Sequence, residues 1–416
     1  MTVAIVGGGQ AGLAMSYCLK RRRIEHIVLE RHRVGHEWRT ARWDSFCLVT
    51  PNWQCQLPGF PYDGDDPDGF MSRDEIVDYV ERYADSFDPP LREGVTVTGL
   101  HCDGDDGFEL ETSDGAIMAD QVVVATGGYH VPRIPRFAAA LPVGIEQLHS
   151  SHYRNPRELP DGDVLVIGSG QSGCQIAEDL HLAGRRVHLC VGGATRTARF
   201  YRGRDVVAWL DDLGYYDLPV HEHKLGEDVR EKANQYVTGR DGGHDIDLRR
   251  FAREGMRLYG RLAGLDGTVL SFERDLAHNL DAADAASEKI KDTIDGHIAE
   301  HQIETPVERR YEPVWRPEIE PRQLELSGSP IGSIVWCTGF DSDYSWVDAP
   351  AFDGRARPIH ERGVTAVAGL YVVGLPWLYT WGSGRFSGIA RDADHLADLI
   401  ELGQDAAPVA ALARRG

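Results

Sequence analysis

The sequence predicts an α/β fold with two parallel strand–helix–strand units, the second carrying an α-helical insertion. Three observations lead there. The run Val3-Ala-Ile-Val-Gly-Gly-Gly-Gln-Ala-Gly12 returns as Val164-Leu-Val-Ile-Gly-Ser-Gly-Gln-Ser-Gly173. Each copy is a β-branched stretch, then glycines, then a helical pattern, predicted over about 11–23 and 172–183, with Gly184 as the second stop. Each helix is followed by another apolar run, at 24–30 and 186–191, which completes a parallel βαβ unit.

The elements between follow from turn and periodicity signals. Runs at 95–100, 108–112 and 116–118, separated by Asp/Gly turns, predict a small β-meander. Gln121-Val-Val-Val-Ala-Thr-Gly127 predicts a buried strand ending in a tight turn. Prolines 132, 135, 142, 156 and 160 mark a connection. From about 195 to 330 the chain exceeds a minimal nucleotide domain. It holds one amphipathic helix, with Leu276, Leu280, Ala283, Ile290, Ile294 and Ile298 on one face. Strands return at 333–340 and 369–374. A last helix, expected to start near Ser383, carries Phe386, Ile389, Ala390, Ala393, Leu396 and Ile400. The division expected is a discontinuous domain of 1–155 and 331–416, and a second of 156–330 with an insertion at about 200–330.

Composition narrows the partners. The net charge is −21, from 65 acidic and 44 basic residues. Such a surface repels phosphate backbones and anionic lipid, so neither nucleic acid nor membrane is expected. Seven cysteines form no CxxC or CxxxxC pair. This argues for reduced thiols and a cytoplasmic protein, and against a redox-active disulfide.

The glycines carry the chemistry. In Gly7-x-Gly9-x-x-Gly12 the first allows the turn out of the strand, the second lets backbone approach a pyrophosphate, and the third lets helix pack on sheet. The phosphates then sit at the positive end of the helix dipole. Glu30 closes the second strand, where a carboxylate binds ribose hydroxyls and repels a 2′-phosphate. The second fingerprint, Gly168-x-Gly170-x-x-Gly173, has Val191 where Glu30 stands. Thr195, Arg196 and Arg199 follow, suited to a 2′-phosphate or, alternatively, merely surface. Two dinucleotide-binding Rossmann-like domains in one chain imply that NADPH gives hydride to a bound flavin.

With those fingerprints, four further segments resemble the class B flavin-dependent monooxygenases. They are Trp38-Arg39 with Leu48-Val-Thr-Pro-Asn-Trp53; Ala125-Thr-Gly127; Leu148-His-Ser-Ser-His-Tyr-Arg154; and Cys337-Thr-Gly-Phe340. The chain departs from the family's FxGxxxHxxxY signature at Pro142 and in the spacing from Gly144 to His149. More narrowly it resembles an uncharacterised bacterial flavin oxidoreductase family encoded beside nitrilase-like enzymes. The resemblance implies FAD and NADP(H) as cofactors, and O2 and a small molecule as substrates. It implies a C4a-hydroperoxide that oxygenates nitrogen or sulfur; a reductase without oxygen insertion is the alternative. A homodimer is left open.

The resemblance also names candidates. Asn52 is the candidate catalytic group beside the flavin, a turn residue being the other reading. Candidate cofactor contacts are Gly7, Gly9, Gln10, Ala11, Gly12, Glu30, Arg31, Trp38, Val97, Ala125, Thr126, Gly127, Gly374, Gly168, Gly170, Gln171, Ser172, Gly173, Thr195, Arg196, Arg199, Thr338 and Gly339. His149 and His152 read as hinge or surface groups rather than metal ligands. Trp377, Tyr379 and Trp381 read as packing on flavin or substrate, or as core.

Overall fold

The computed structural model describes residues 2–102 and 107–403. The chain begins with β1 (Val3–Val6), α1 (Gln10–Arg21), β2 (His26–Glu30), α2 (Arg73–Phe87), β3 (Leu91–Glu93), β4 (Val97–Cys102), β5 (Phe108–Thr112), β6 (Gly115–Ala119) and β7 (Gln121–Val124). It continues through β8 (Glu146–His149), β9 (Asp163–Ile167), α3 (Gln171–Leu182), β10 (Val187–Cys190), β11 (Arg257–Tyr259), β12 (Leu262–Asp266), β13 (Val269–Phe272), α4 (Leu276–His301), β14 (Gln323–Glu325) and β15 (Ile331–Trp336). It returns through β16 (Leu370–Val372) and α5 (Ile389–Glu401).

Two sheets share one plan. The first contains the order β16-β7-β1-β2-β3, extended past β16 by two short strands; the second is β8-β15-β9-β10-β11. All pairs within these five-strand sets are parallel. Fully buried runs such as Val3–Val6 and Asp163–Ile167 suit strands covered on both faces. Each unit also carries an antiparallel meander, β4-β5-β6 and β12-β13-β14. The repeat visible in ten residues thus extends over whole domains.

Sheet membership moves the expected boundaries. β8 and β15 fall within 1–155 and 331–416, yet both belong to the second sheet, with β15 between β8 and β9. A short apolar run does not encode which of two similar sheets it joins. The 416 limit lies outside the described residues. The insertion also shrinks, since β11 and the β12–β14 meander are counterparts of β3 and β4–β6. The added material lies mainly between β10 and β11, and in the segment from α4 to β14.

α4 matches its predicted face. Leu276, Leu280, Ala283 and Ile294 are buried, while Ile290 and Ile298 are half-buried against a cluster containing Tyr201 and Trp209. α5 starts later than expected. Ser383 sits in a 3-10 turn, Trp381–Gly384, and the helix begins after Gly388. Gly382 and Gly388 lie backbone to backbone, and a Cβ on Gly388 would meet Gly382 carbon at 2.5 Å. The chain doubles back there, so the helix does not originate at Ser383.

Candidate functional site

The two glycine loops have the same geometry. Gly7 has φ +107° and Gly168 has φ +105°. A Cβ on Gly7 would meet Ala125 O at 2.7 Å, and one on Gly168 would meet Cys337 O at 2.5 Å. A Cβ on Gly12 would overlap Gly7 O, and one on Gly173 would overlap Gly168 O. Ala125 and Cys337 are therefore equivalent, as are the turns that follow β7 and β15.

α1 and α3 start at Gly9 and Gly170 with no side-chain cap. A Cβ at either glycine would have nothing within 4 Å. Uncapped N–H groups facing open space form a cradle for a pyrophosphate. Both cradles fit a dinucleotide on this ground. Glu30 accepts from Gly8 N–H at 2.7 Å and His32 N–H at 2.9 Å, which fixes the carboxylate at the end of β2 and leaves lone pairs for a ribose. Gly374 closes on α1, since its Cβ would meet Ala11 Cβ at 2.5 Å. Arg31 is exposed and pairs with Glu37, and Val97 packs beside the Ile27–Leu29 cluster.

Arg196 and Arg199 differ from expectation. They are 3% and 1% exposed. Arg196 pairs with Asp284 at 2.7 Å and stacks 3.9 Å from the Tyr311 ring. Arg199 pairs with Asp205 at 2.5 Å, donates to Val49 O at 2.6 Å and covers Phe70. Arg196 thus ties the two added segments to each other, and Arg199 ties the first of them to the 49 and 70 loops; both guanidinium groups are buried against protein partners. Thr195 is half-buried, with its carbonyl accepting from Tyr236 N–H. Beside the open Gly192–Gly193 turn stands Arg261, whose Cγ would lie 3.9 Å from a Cβ on Gly192. Its side chain is 63% exposed and uses Nε on Asp275. It follows β11, far along the chain from the second fingerprint, and the only sequence signal for it is its place just after a parallel strand.

The segment after the turn that follows β7 meets the turn after β15 across the units. Arg133 N–H donates to Gly339 O at 2.9 Å, the Thr338 hydroxyl donates to Arg133 O, and Val131–Pro132 pairs with Phe340–Asp341. His149 donates from Nε2 to Gly339 O at 3.0 Å, and burial lowers its pKa, so the ring is a neutral brace. Tyr153 donates to Asp179 at 2.6 Å; Ser45 and Arg240 reach the same carboxylate at 2.7 and 2.8 Å. Asp179 on α3 thus ties together the 45 loop, the connection and the added segment.

Asn52 is buried, and both ends of its amide serve the loop beside it. Nδ2 donates to Asp66 O at 2.9 Å and Oδ1 accepts from Met71 N–H at 2.7 Å. This matches the turn reading more closely than a catalytic one. Gln10, the first residue of α1, bridges two other segments: it accepts from Trp38 Nε1 at 3.2 Å and donates to Gly384 O at 3.2 Å. Its counterpart Gln171 donates to Val237 O. Trp377 is buried against Val220 and Val229, and Tyr216 packs 4.6 Å from Trp381. The added segment therefore covers the 377–385 loop, and Val220 N–H donates to Tyr379 O at 2.7 Å.

A family model described as pyridine nucleotide-disulphide oxidoreductase matches residues 4–247, more than half of the chain. The chain belongs to that family. An uncharacterised CzcO-like oxidoreductase of Geobacillus kaustophilus is 34% identical over 405 residues, covering 96% of this chain and 97% of that one. An indole-3-pyruvate monooxygenase, YUCCA1 of Oryza sativa, is 34% identical over 190 residues, covering 45% and 47% of the two chains. The fold is that of a flavin-containing monooxygenase from Stenotrophomonas maltophilia, with a TM-score of 0.65 at 19% identity over 96% of this chain and 98% of that one. This member of the family is an oxidoreductase dependent on FAD and NADP(H), and resembles the class B flavin monooxygenases. All seven cysteines are free. Burial pushes the Cys174 and Cys337 thiols, neighbours at the second cradle, well above the ordinary thiol range. They stay protonated and form no reactive dithiol.

Proposed function

We propose that the N-terminal cradle holds FAD, the second holds NADPH, and the enzyme inserts oxygen into a small substrate bearing a nucleophilic nitrogen or sulfur. The observation that supports this reading is the pair of equivalent, uncapped glycine cradles, whose units are joined by hydrogen bonds between residues 131–133 and 338–341. When bound, the flavin supplies two-electron transfer and oxygen activation, and the nicotinamide supplies the hydride.

The chain's own residues orient and enclose. The N–H groups of α1 and α3 meet phosphate, and Glu30 meets ribose. Arg261, beside Gly192, meets the 2′-phosphate and replaces Arg196 and Arg199 in that role. Gln10 holds Trp38 and the 384 loop in place. The added segment, packed on residues 377–385, excludes water, which is what an oxygen-transferring site requires of its protein. Asn52 shapes the loop beside the ring through its backbone partners.

Holoenzyme turned over under 18O2 with small amines and thioethers tests the reading. One labelled oxygen in product per NADPH consumed supports it. Stoichiometric hydrogen peroxide with no label in any product overturns it in favour of a reductase.

A further inference from the structure

Buried arginines in this protein generally have carboxylates. Arg196 and Arg199 each meet an aspartate, and Arg249 meets Asp281 at 2.6 Å and Asp284 at 2.8 Å. Arg185 lacks an ion pair but is saturated by four backbone carbonyls. Arg362, over the Tyr379 ring, also lacks a carboxylate partner among the described residues; Arg42 and Arg385 likewise follow neither pattern. Among the described residues neither has a carboxylate within ion-pair distance. Arg42 donates only to the carbonyl of its neighbour Ala41. Arg385 donates to Trp381 O and to Asn234 Oδ1.

Their surroundings are aromatic. Arg42 lies 5.0 Å from the Trp38 ring, 5.6 Å from Phe46 and 5.8 Å from Tyr129. Arg385 lies 3.8 Å from the Trp381 ring, against which Tyr216 packs. Trp38 stacks 5.7 Å from Phe386, the residue after Arg385, which brings the two groups of rings together. Gln10, at the start of the first cradle's helix, links Trp38, a ring beside Arg42, to Gly384, the residue before Arg385. Both residues are half-buried, and neither guanidinium is shut into the core. Desolvation by the surrounding rings lowers both pKa values, with no carboxylate beside either group to offset it. A planar guanidinium left with free N–H groups is matched by a carboxylate, bidentately.

We propose that Arg42 and Arg385 form the substrate's anion subsite, so that the substrate is a small organic acid whose apolar body lies among Tyr129, Tyr216 and Trp381. This rests on the proposed function and names the substrate class. The carboxylate is an anchor remote from the atom oxygenated, and no electron or proton moves through it. Tyr129 comes from the turn after β7 and Tyr216 from the added segment. With that segment packed on the 377–385 loop, Tyr216 stands beside Trp381 at the subsite.

The test is binding, read without turnover. FAD-loaded enzyme is titrated with phenylacetate and with phenylacetamide, following the visible flavin spectrum and thermal stability. The acid should bind at least about tenfold more tightly than the amide, as a charge-assisted pair implies. Arg42→Met and Arg385→Met should each remove that preference while flavin content and NADPH affinity stay within about twofold of the parent. The lysine variants, which keep charge without the fork, should restore part of it and also control for folding. Equal binding of acid and amide by the parent overturns the proposal. So does loss of NADPH or FAD affinity in the variants, which would assign the arginines to a coenzyme. Failure of oxygen insertion with any substrate leaves the binding result standing and rejects only the monooxygenase reading.

Discussion

Asp392 on α5 offers a test of the packing behind the site. It is 1% exposed, and neither carboxylate oxygen has a hydrogen-bond partner in good geometry. Burial raises its pKa from 3.8 to about 6, which Ser383, Arg362 and Arg391 only partly offset. The native state holds the proton more tightly than the unfolded chain, so this residue's contribution is intact below about pH 4. It is lost as pH rises through about 6. A shift of about two units corresponds to about 3 kcal/mol of destabilisation at neutral pH. Asp392→Asn removes the charge and keeps the shape. The gain over the parent should be about 1.5 kcal/mol larger near pH 7 than near pH 5, measured by urea unfolding of holoenzyme in parallel. The absolute offset depends on how the amide is seated, but the change with pH does not. A difference that stays flat across that range would refute the reasoning, because it would mean that the carboxylate is solvated or paired.

Other substitutions address the cradles and staples. Gly170→Ala meets no neighbouring atom and an extended φ of −69°, so the fold should hold within about 0.5 kcal/mol while NADPH affinity falls at least about tenfold; unchanged affinity by fluorescence titration would separate that helix from the phosphates. Arg261→Ala should raise the NADPH KM about tenfold or more and leave the NADH KM nearly unchanged, and equal effects would reduce Arg261 to a surface residue. Arg196→Ala should act the other way, costing about 3 kcal/mol or more of stability by leaving Asp284 with one partner fewer, with little coenzyme discrimination. Tyr153→Phe removes one bond to the buried Asp179 and should cost about 1–3 kcal/mol in unfolding free energy; a neutral result would show that Ser45 and Arg240 suffice.

The parts legible in the sequence were those encoded locally. Gly7, Gly12, Gly168 and Gly173 are required by close backbone contact, and such requirements leave a residue-type signature at fixed spacing. The α4 stripe was legible because helical periodicity is local. What escaped was set by tertiary pairing. β15 reads as a strand in either unit, and only its partners β8 and β9 decide which. Arg196 and Arg199 have the right chemistry at the right distance from β10, but Asp284, Asp205 and Tyr311 lie elsewhere in the chain and claim them first. Arg42 and Arg385 gave no signal at all, because the rings that surround them come from segments far apart in the chain. Asn52 carried a resemblance, yet its amide is spent on Asp66 and Met71.

Anaerobic titration of the purified protein with NADPH, followed in the visible, addresses the facing cradles most directly. The account requires a bound flavin whose absorption bleaches with about one equivalent of NADPH, as expected for a single two-electron transfer. Protein that binds no flavin, or whose flavin is reduced by dithionite but stays oxidised under excess NADPH, would show that the two nucleotide sites do not communicate.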